Sequence, residues 1–282
     1  MKKAWITGAG GLIGSYLAQT AKMHAPGWEV LPLTRRELEL EDEPAVRALF
    51  AQTKPDVVIH CAGLTQSGPC QENPELARRL NVEVTRRLCA LTAGIRFFFF
   101  STDLVFDGRK GNYTEEDAVN PLMVYAQTKV AAEEVVLGNP NHTVIRAGLN
   151  GGVSPKGNRG FNEELNLAWA AGKTAKLFVD EFRSPIPAAI TARAVWELVL
   201  QDAAGLYHLG GSERLSRWEI GCLVAKRWAQ LEARMERETI KNFKGLPRPA
   251  DVSMDCAKIR SLLSFRIPGL AEWLEQNPKA LF

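Results

Sequence analysis

Long hydrophobic runs are missing from this sequence of 282 residues. A helix needs about 20 consecutive apolar residues to cross a bilayer, and no segment approaches that length. The apolar start of the chain, Met1–Thr7, is interrupted by Gly8–Gly11 before it could act as a signal peptide. We therefore expect a cytoplasmic protein without a membrane partner.

Cysteine and histidine are also scarce, with five and four residues respectively. The cysteines show no CxxC spacing and the histidines are scattered, which argues against a disulfide scaffold and against a structural zinc site. We expect no metal and mostly buried, reduced thiols. These thiols belong to Cys61, Cys70, Cys89, Cys222 and Cys256.

Charge of either sign is not in large excess, since 35 Lys and Arg residues face 32 Asp and Glu residues and leave a net charge of +3. Such a small excess does not indicate a nucleic-acid-binding surface. The hydrophobic content of 46% is enough for a large core in a chain of this length. The composition therefore predicts a globular protein with one large domain or two domains in close contact.

Residues 3–147 alternate short apolar runs with longer amphipathic segments, which is typical of repeated βα units around a parallel sheet. The run Phe97–Phe100 has no alternation, as expected for a central strand that is covered on both faces. The predicted strands are Ala4–Thr7, Val30–Thr34, Val57–Cys61, Phe97–Ser101 and Thr143–Arg146. The predicted helices are Leu12–Met23, Pro44–Thr53, Pro74–Ala93 and Val124–Leu137.

The repeating pattern stops after Gly148, where residues 150–160 are typical of a loop. The segments beyond it predict a smaller α/β region. They are a helix over about 161–172, a strand at Gly205–Leu209, a helix opened by the capping-box pattern Ser216–Glu219 and a helix near Leu270–Gln276.

The fold class that we predict is α/β, a Rossmann-type doubly wound parallel sheet with a smaller C-terminal α/β substrate-binding domain. The dinucleotide-binding domain would cover residues 1–149, with parts of 180–205 returning to it. Residues 150–282 would mainly form the substrate-binding domain.

A glycine-rich turn follows the first predicted strand, where Gly8, Gly11 and Gly14 are spaced GxxGxxG and open the first helix. Glycine permits a close approach of the backbone to a pyrophosphate, whose charge then meets the free N–H groups of the helix N-terminus. The position between a strand and an amphipathic helix favours a dinucleotide site over a purely structural turn. The cofactor-binding residues predicted here are Gly8, Gly10, Gly11, Leu12, Ile13 and Gly14.

Thr34, Arg35 and Arg36 stand at the end of the second predicted strand, where an NAD-specific domain usually places Asp or Glu against the ribose. Guanidinium groups at this point would pair with a 2′-phosphate. We therefore predict that Arg35 and Arg36 bind the cofactor, with NADP(H) preferred and NAD(H) as the alternative. The competing interpretation is an exposed basic pair that is balanced by Glu37 and Glu39.

Tyr125 and Lys129 are four residues apart and therefore lie on one face of a predicted helix. A phenol of ordinary pKa, about 10, exchanges protons poorly at neutral pH, and we expect the nearby ammonium to lower the pKa of Tyr125. The pair suits proton exchange with a carbonyl or an alcohol. The same spacing also arises by chance in helices, where an exposed aromatic lies beside a solvated lysine.

Two hydroxyl groups follow the fourth predicted strand, in the segment Phe100–Gly108. The carboxyl ends of strands in an open α/β sheet face the ligand crevice, so a hydroxyl there can bind a substrate oxygen. We assign this role to Thr102, with Ser101 as a near alternative. The competing interpretation for either hydroxyl is a cap on the local backbone.

These segments together resemble the extended short-chain dehydrogenase/reductases, and within them the dTDP-4-dehydrorhamnose reductase group. The resemblance is distributed over nearly the whole chain. The stretches that carry it are Gly8–Gly14, Lys54–Ile59, Asn81, Ser101–Gly108, Asn120–Lys129, Tyr207–Leu209 and Arg248–Ser253.

The resemblance implies that Thr102, Tyr125 and Lys129 form a catalytic trio, with Lys129 also binding the nicotinamide ribose. Related sugar-nucleotide 4,6-dehydratases carry Thr-Asp-Glu at the corresponding strand end, where carboxylates perform water elimination. Leu104 occupies the third of these positions and cannot serve in this way. The resemblance therefore favours ketone reduction over dehydration.

Two positions depart from the family pattern. His60–Gly63 stands where relatives often have Asn-Ala-Ala, and Ala126 replaces the glycine that usually follows the tyrosine. Neither change removes a reacting group, and we interpret His60 as a packed strand-end residue. Cys61, Ala62 and Gly63 are still assigned to the cofactor pocket.

The sequence indicates the substrate-binding residues less clearly than the cofactor-binding and catalytic residues. Family analogy indicates Arg248 as a contact for a substrate phosphate, and Arg183 would line the cleft from the second domain. A surface ion pair is the competing interpretation for both arginines. The predicted substrate-binding residues are Thr65, Asp103, Arg183 and Arg248.

The function that we predict is NADPH-dependent reduction of a keto group on a nucleotide-linked sugar. The alternatives are a sugar-nucleotide epimerase, a small-carbonyl reductase of the same family, and a noncatalytic NADP-binding regulatory subunit. The amphipathic helices at 74–93 and 124–137 either form the face of a homodimer or simply cover the sheet.

Overall fold

The computed structural model describes residues 1–228 and 232–280 of the chain. Its strands are β1 (Lys2–Thr7), β2 (Trp28–Leu33), β3 (Val57–His60), β4 (Arg96–Thr102), β5 (Thr143–Ala147), β6 (Asn150–Gly151), β7 (Ala175–Phe178), β8 (Phe182–Arg183), β9 (Ile186–Pro187), β10 (Gly205–Leu209), β11 (Leu215–Ser216) and β12 (Met235–Glu238). Its α-helices are α1 (Leu12–His24), α2 (Glu43–Thr53), α3 (Ser67–Glu72), α4 (Pro74–Arg78), α5 (Val84–Leu91), α6 (Val124–Leu137), α7 (Phe161–Ala170), α8 (Ala188–Leu200), α9 (Arg217–Arg227), α10 (Ala257–Arg260) and α11 (Leu270–Gln276). None of these helices is long and apolar enough to cross a bilayer.

A six-stranded parallel sheet forms the centre of the molecule, in the order β10-β5-β4-β3-β1-β2. From β1 the chain first moves outward to β2, and then returns to build β3, β4 and β5 on the other side. The strand order therefore reverses between β1 and β3, and in such sheets ligands bind outside the carboxyl ends of the strands at this point. The predicted Rossmann-type doubly wound fold is confirmed.

The central strand β4 separates two layers of the core. Phe98 and Phe100 pack with Ile6 and Ile145 on one face, whereas Phe97 and Phe99 pack with Trp5 on the other. Because successive side chains of a strand point to opposite faces, an unbroken run of phenylalanines can fill both layers. The prediction that this run forms a buried central strand is confirmed.

Helices cover both faces of the sheet. On one face α1 packs against α8, where Trp196 is fully buried and its indole Nε1 donates to the carbonyl oxygen of Leu17 at 3.0 Å. On the other face Val46 of α2, Leu88 of α5 and Val136 of α6 belong to one apolar cluster. The sheet is therefore enclosed between two helical layers.

The strand Gly205–Leu209 was assigned to the smaller C-terminal region, and this assignment is wrong. As β10 it pairs in parallel with β5, from Gly205 opposite Thr143 to Leu209 opposite Ala147. Together with α8 it adds one more unit to the central sheet. A short apolar run does not reveal which sheet it joins, because its pairing partner lies far away in the chain.

The predicted helix Pro74–Ala93 is interrupted. Between α4 and α5 the residues Arg79–Glu83 form one π-helical turn, and α5 ends at Leu91. Such turns carry an extra residue and occur frequently at functional sites. Here the turn contains Asn81, which is buried.

The smaller region is built on its own apolar cluster, which includes Leu165, Trp169, Ile220 and Trp273. Two short sheets, β7 with β12 and β8 with β11, lie beside it. The predicted capping box of α9 is present. Ser216 Oγ accepts from the N–H of Glu219 at 3.2 Å, and the carboxylate of Glu219 accepts from the N–H of Ser216 at 2.7 Å.

Candidate active site

The glycine-rich turn lies at the carboxyl end of β1, at the point where the strand order reverses. Gly8 has a φ of +70°, and a Cβ there would lie 2.6 Å from the backbone nitrogen of Ala62. A Cβ on Gly14 would lie 2.4 Å from the carbonyl oxygen of Gly8. Both glycines are therefore required by the turn itself.

The first turn of α1 begins at Leu12, and its N-cap, Gly11, offers no side-chain acceptor. The first N–H groups of a helix have no intrahelical partner, and together with the helix dipole they attract an anion. Ala62 faces this turn from the end of β3, where the N–H of Cys61 donates to the carbonyl oxygen of Thr7 at 3.2 Å. The predicted turn residues fit a dinucleotide phosphate.

The two arginines after β2 differ in their surroundings. Arg35 is exposed and forms an ion pair with Glu39 at 3.3 Å. Glu37 accepts hydrogen bonds from the hydroxyl and the backbone N–H of Thr34, which lower the pKa of its carboxyl. Arg36 forms no ion pair with any carboxylate of the described residues. Arg36 is therefore better placed than Arg35 to bind a 2′-phosphate.

Thr102, Tyr125 and Lys129 are brought together, as the sequence predicts. Thr102 ends β4, while Tyr125 and Lys129 lie in the first two turns of α6, and all three are buried. The hydroxyl of Thr102 lies close enough to Tyr125 to lower the pKa of the phenol. The hydroxyl of Thr102 also accepts from the N–H of Leu104 at 3.2 Å, so it acts as a local cap as well. The hydroxyl of Ser101 is buried without a hydrogen-bond partner in the described ranges 1–228 and 232–280.

Tyr125 is held in its protonated form. Burial, the carboxylate of Asp103 and the sulfur of Cys70 raise its pKa to about 12, against the opposing effects of Thr102 and Arg183. The expectation that Lys129 lowers the pKa of Tyr125 is wrong, because burial outweighs any cation nearby. A protonated phenol is the form that can donate a proton to a carbonyl oxygen.

Lys129 carries a buried ammonium group. Its Nζ lies 4.0 Å from the ring centroid of Phe99 and donates no hydrogen bond to the described parts of the chain. Burial lowers the pKa of Lys129 to about 8, although Glu133 and the thiols of Cys61 and Cys70 act in the opposite direction. Three unused N–H donors in a buried position fit the hydroxyl groups of a ribose.

Lys129→Met is expected to stabilise the protein by on the order of 1 kcal/mol at pH 7, because it removes a desolvated charge. The folded pKa, about 8, lies below the ordinary value of 10.5, so the unfolded chain binds more protons between these pH values. The free energy of unfolding of the unmodified protein should therefore rise across this window. The advantage of the variant should shrink accordingly.

Urea unfolding at pH 7 and pH 10 measures this effect. Lys176→Met, on the exposed side of β7, is the matched control and should show no comparable gain at pH 7. A variant at Lys129 that is less stable than the unmodified protein at pH 7 would contradict the prediction.

His60 is a packed residue. Its Nδ1 lies 2.7 Å from Thr7 Oγ1 and its Nε2 lies 3.2 Å from Thr85 Oγ1, and its ring stacks on Phe99. Burial, with a smaller effect of Lys129, lowers its pKa to about 3. The imidazole is therefore neutral and joins the strand end to α5.

Asn81 is a site residue that was noticed only within the resemblance. Its Oδ1 accepts from the N–H of Leu64 at 2.7 Å, and its Nδ2 donates to the carbonyl oxygen of Leu64 and to Thr128 Oγ1, each at 3.0 Å. A Cβ on Gly63 would lie 2.9 Å from Asn81 Oδ1. Asn81 therefore holds the loop after β3 against α6. Thr65 is exposed in this loop.

The predicted substrate residues Asp103, Arg183 and Arg248 belong to one network around Glu181. Arg183 Nε donates to Asp103 Oδ2 at 2.7 Å, and both side chains are buried. Glu181 in turn lies 4.0 Å from Arg183 Nη1, 3.2 Å from Arg217 Nε and 2.8 Å from Arg248 Nη1. The surface ion pair proposed as the alternative for Arg183 is therefore wrong, since the pair is internal.

Arg217 was recognised in the sequence only as part of a helix cap. Its guanidinium lies 4.0 Å from the ring centroid of Phe161, and burial lowers its pKa to about 10 despite Glu181. Arg217 Nη1 and Arg248 Nε are buried without a hydrogen-bond partner among the described residues. Three guanidinium groups face the carboxylates of Asp103 and Glu181, which leaves one positive charge in excess. The cluster fits an anionic ligand.

Residues 1–280 match the family model of the RmlD substrate binding domain. The chain is 31% identical to methionine adenosyltransferase 2 subunit beta from Xenopus laevis over 277 residues, which cover 93% of this chain and 82% of that protein.

Solved structures show the same arrangement over nearly the whole chain. A hypothetical dTDP-4-dehydrorhamnose reductase from Sulfolobus tokodaii superposes with a TM-score of 0.83 at 28% identity, covering 96% of this chain and 97% of that one. For dTDP-4-dehydrorhamnose reductase from Bacillus anthracis in complex with NADP, the TM-score is 0.88 at 21% identity, with 98% of each chain covered.

Proposed function

The chain belongs to the RmlD substrate binding domain family, and from this premise we propose that it is an NADPH-dependent reductase of a keto group on a nucleotide-linked sugar. One observation carries the proposal. The buried, protonated phenol of Tyr125 lies beside Thr102 at the carboxyl end of β4, and the buried ammonium of Lys129, one helical turn further along, donates no hydrogen bond to the described residues. This arrangement suits proton donation to a carbonyl oxygen.

In the proposed reaction each member of the trio has a separate role. Bound NADPH supplies the hydride equivalent that reduces the carbonyl carbon. Tyr125 donates its proton to the carbonyl oxygen, and the hydroxyl of Thr102 donates a hydrogen bond to the same oxygen as negative charge develops there. Lys129 binds the ribose hydroxyls of the cofactor and thereby orients it.

The side chain at position 104 separates reduction from dehydration. Leu104 is partly buried and packs against apolar side chains, so position 104 supplies no carboxylate to remove a proton, and the carboxylate of the adjacent Asp103 is engaged by Arg183. We therefore propose reduction, with NADPH preferred through Arg36 and NADH as the weaker alternative.

We further propose that residues 1–149 together with α8 and β10 bind the cofactor, while the remainder of residues 150–282 holds the substrate. The cluster of Arg217 and Arg248 around Glu181 would bind the diphosphate, because its unused N–H groups lie on the substrate side. Thr65 would border the sugar.

The direct test is to mix the purified protein with NADPH and dTDP-4-dehydrorhamnose and to follow NADPH oxidation. Oxidation that requires the sugar nucleotide supports the proposal. If neither this substrate nor related keto-sugar nucleotides cause NADPH oxidation, the sugar assignment is wrong. A small-carbonyl reductase would instead turn over free ketones, and an epimerase would give a product of inverted stereochemistry without net oxidation of the cofactor.

Arg217→Gln is expected to raise the KM for the nucleotide-linked substrate by about 10- to 100-fold, because a charged hydrogen bond to the diphosphate is lost. The value of kcat should change little, since Arg217 does not contact the catalytic trio. Steady-state kinetics with the sugar nucleotide measure both constants.

Arg237→Gln is the matched control, because Arg237 is exposed on β12, outside the cluster, with its guanidinium over Trp218. Its KM should equal that of the unmodified protein. An unchanged KM for Arg217→Gln would show that the diphosphate binds elsewhere.

A second candidate function is a regulatory subunit that binds NADP without turnover. The observation that favours it is the 31% identity to a protein named as a subunit of methionine adenosyltransferase 2. The complete trio argues for catalysis, but a cofactor site and a fold do not fix a function. Comparison of turnover by Tyr125→Phe and by the unmodified protein distinguishes a reductase from a regulatory subunit.

A further inference from the structure

The ion pair between Arg183 and Asp103 connects the substrate side of the molecule to the catalytic strand. Arg183 belongs to β8, which pairs with β11 in the smaller region, whereas Asp103 directly follows β4. The guanidinium donates from Nε and from a second nitrogen to the two carboxylate oxygens, in bidentate geometry. Asp103 is fully buried, so Arg183 is its principal source of charge compensation.

The same carboxylate contacts the catalytic hydroxyl. Thr102 Oγ1 donates to Asp103 Oδ1 at 3.2 Å and lies beside Tyr125, whose pKa it lowers. A hydroxyl has a single hydrogen, so Asp103 competes with the reacting oxygen atoms for it. Because Arg183 already donates to both carboxylate oxygens, Asp103 is a weaker acceptor for Thr102, and the contact is long for an O–H···O bond.

Asp103 and Arg183 carry charges of opposite sign, and both charges act on the phenol of Tyr125. Asp103 and Cys70 raise the pKa of the phenol, whereas Arg183 and the hydroxyl of Thr102 lower it. The guanidinium therefore offsets part of the repulsion that the carboxylate would exert on the phenolate left after proton donation. Without Arg183, Asp103 would hold the hydrogen of Thr102 more strongly and would oppose ionisation of Tyr125 more.

We propose that Arg183 is a positioning residue, which acts through Asp103 to weaken that carboxylate as an acceptor, so that the hydroxyl of Thr102 can turn to the reacting oxygen beside Tyr125. The catalytic part of this inference rests on the proposed reductase function. The electrostatic part concerns the free protein and can be tested whether or not a substrate is found.

The first experiment follows the ionisation of each tyrosine by NMR of protein labelled with ¹³C at the ζ carbon, with the Tyr125 signal assigned from Tyr125→Phe. Asp103→Asn should lower the pKa of Tyr125 by about 1 unit or more, because it removes a carboxylate and leaves Arg183 unpaired nearby. Arg183→Met should shift the titration to higher pH. If Asp103→Asn leaves the titration of Tyr125 unchanged, the inference is wrong.

Asp107→Asn is the matched control for this titration. Asp107 lies in the same segment, but its carboxylate accepts from Tyr113 at 2.9 Å and from Asn120 at 3.0 Å. Its substitution should leave the titration of Tyr125 in place and alter that of Tyr113 alone.

The second experiment uses Arg183→Lys, which keeps the positive charge and is therefore suited to the case in which the neutral variants do not fold. A lysine cannot donate to both oxygens in the planar geometry of arginine. We expect kcat for the keto-sugar nucleotide to fall about 10-fold or more, with KM within about 3-fold of the original value. A rise in KM at constant kcat would assign Arg183 to substrate binding and overturn the positioning role.

If no keto sugar is turned over, the proposed function fails, while the pKa of Tyr125 in Arg183→Lys still decides the electrostatic part. That pKa should stay within about 1 unit of the original value because the charge is retained, and a larger shift would contradict it.

Discussion

Tyr125→Phe should lower kcat for keto-sugar reduction by about 10²- to 10⁴-fold, which is the range for removal of a general acid. The phenol is buried and protonated, and it is the proton donor of the proposed reaction. The benzyl group keeps the packing against Ala126 and Met123. Binding of NADPH, measured by fluorescence titration, should therefore stay within about 3-fold of the original value.

Tyr207→Phe is the matched control for this substitution. The hydroxyl of Tyr207 is hydrogen-bonded to the carbonyl oxygen of Ala204 at 3.0 Å, away from the trio. This variant should retain full activity. Substantial activity in Tyr125→Phe would remove the phenol from the mechanism. Absence of turnover in the unmodified protein as well, with NADPH still bound, would favour the regulatory subunit.

Gly14→Ala should destabilise the protein by about 1–3 kcal/mol and weaken NADPH binding by about 10-fold or more. The added Cβ would lie 2.4 Å from the carbonyl oxygen of Gly8, which is backbone and cannot rotate away. Relief of this clash requires α1 to move from the turn, and the N–H groups of the first helical turn would move with it. Urea unfolding and fluorescence titration measure the two effects.

Gly10→Ala is the control for stability, because a Cβ there would only make an ordinary contact of 3.6 Å with Thr34 Cγ2. Its free energy of unfolding should stay within about 0.5 kcal/mol of the original value. Equal stability of the two variants would show that the space between α1 and the glycine-rich turn admits a methyl group at position 14.

The fold could be predicted because its signals are local. The unbroken run Phe97–Phe100, the glycine spacing after β1 and the amphipathic segments each report on a few neighbouring residues. The assignment of Gly205–Leu209 failed because strand pairing is a contact between distant segments. The π-helical turn around Asn81 was missed because the residues of Arg79–Glu83 have ordinary helix propensities.

The candidate site, like the fold, could be predicted where the signals are local and not where they depend on distant segments. Helical spacing indicated the pair of Tyr125 and Lys129, and a strand end indicated Thr102, but only the family resemblance joined the three into a trio. The sign of the shift at Tyr125 was wrong because burial arises from the whole fold rather than from the neighbouring Lys129. The role of Arg217 could not be seen because its partner Glu181 lies on another segment.

The π-helical turn also restricts how the length of the chain can vary. A regular α-helix advances by about 100° per residue, so the extra residue in Arg79–Glu83 rotates the two halves of the helix out of phase by about that amount. Deletion of one residue here would restore a regular helix and turn Asn81 away from Leu64. The helix therefore has a fixed residue count, although much of its surface is exposed.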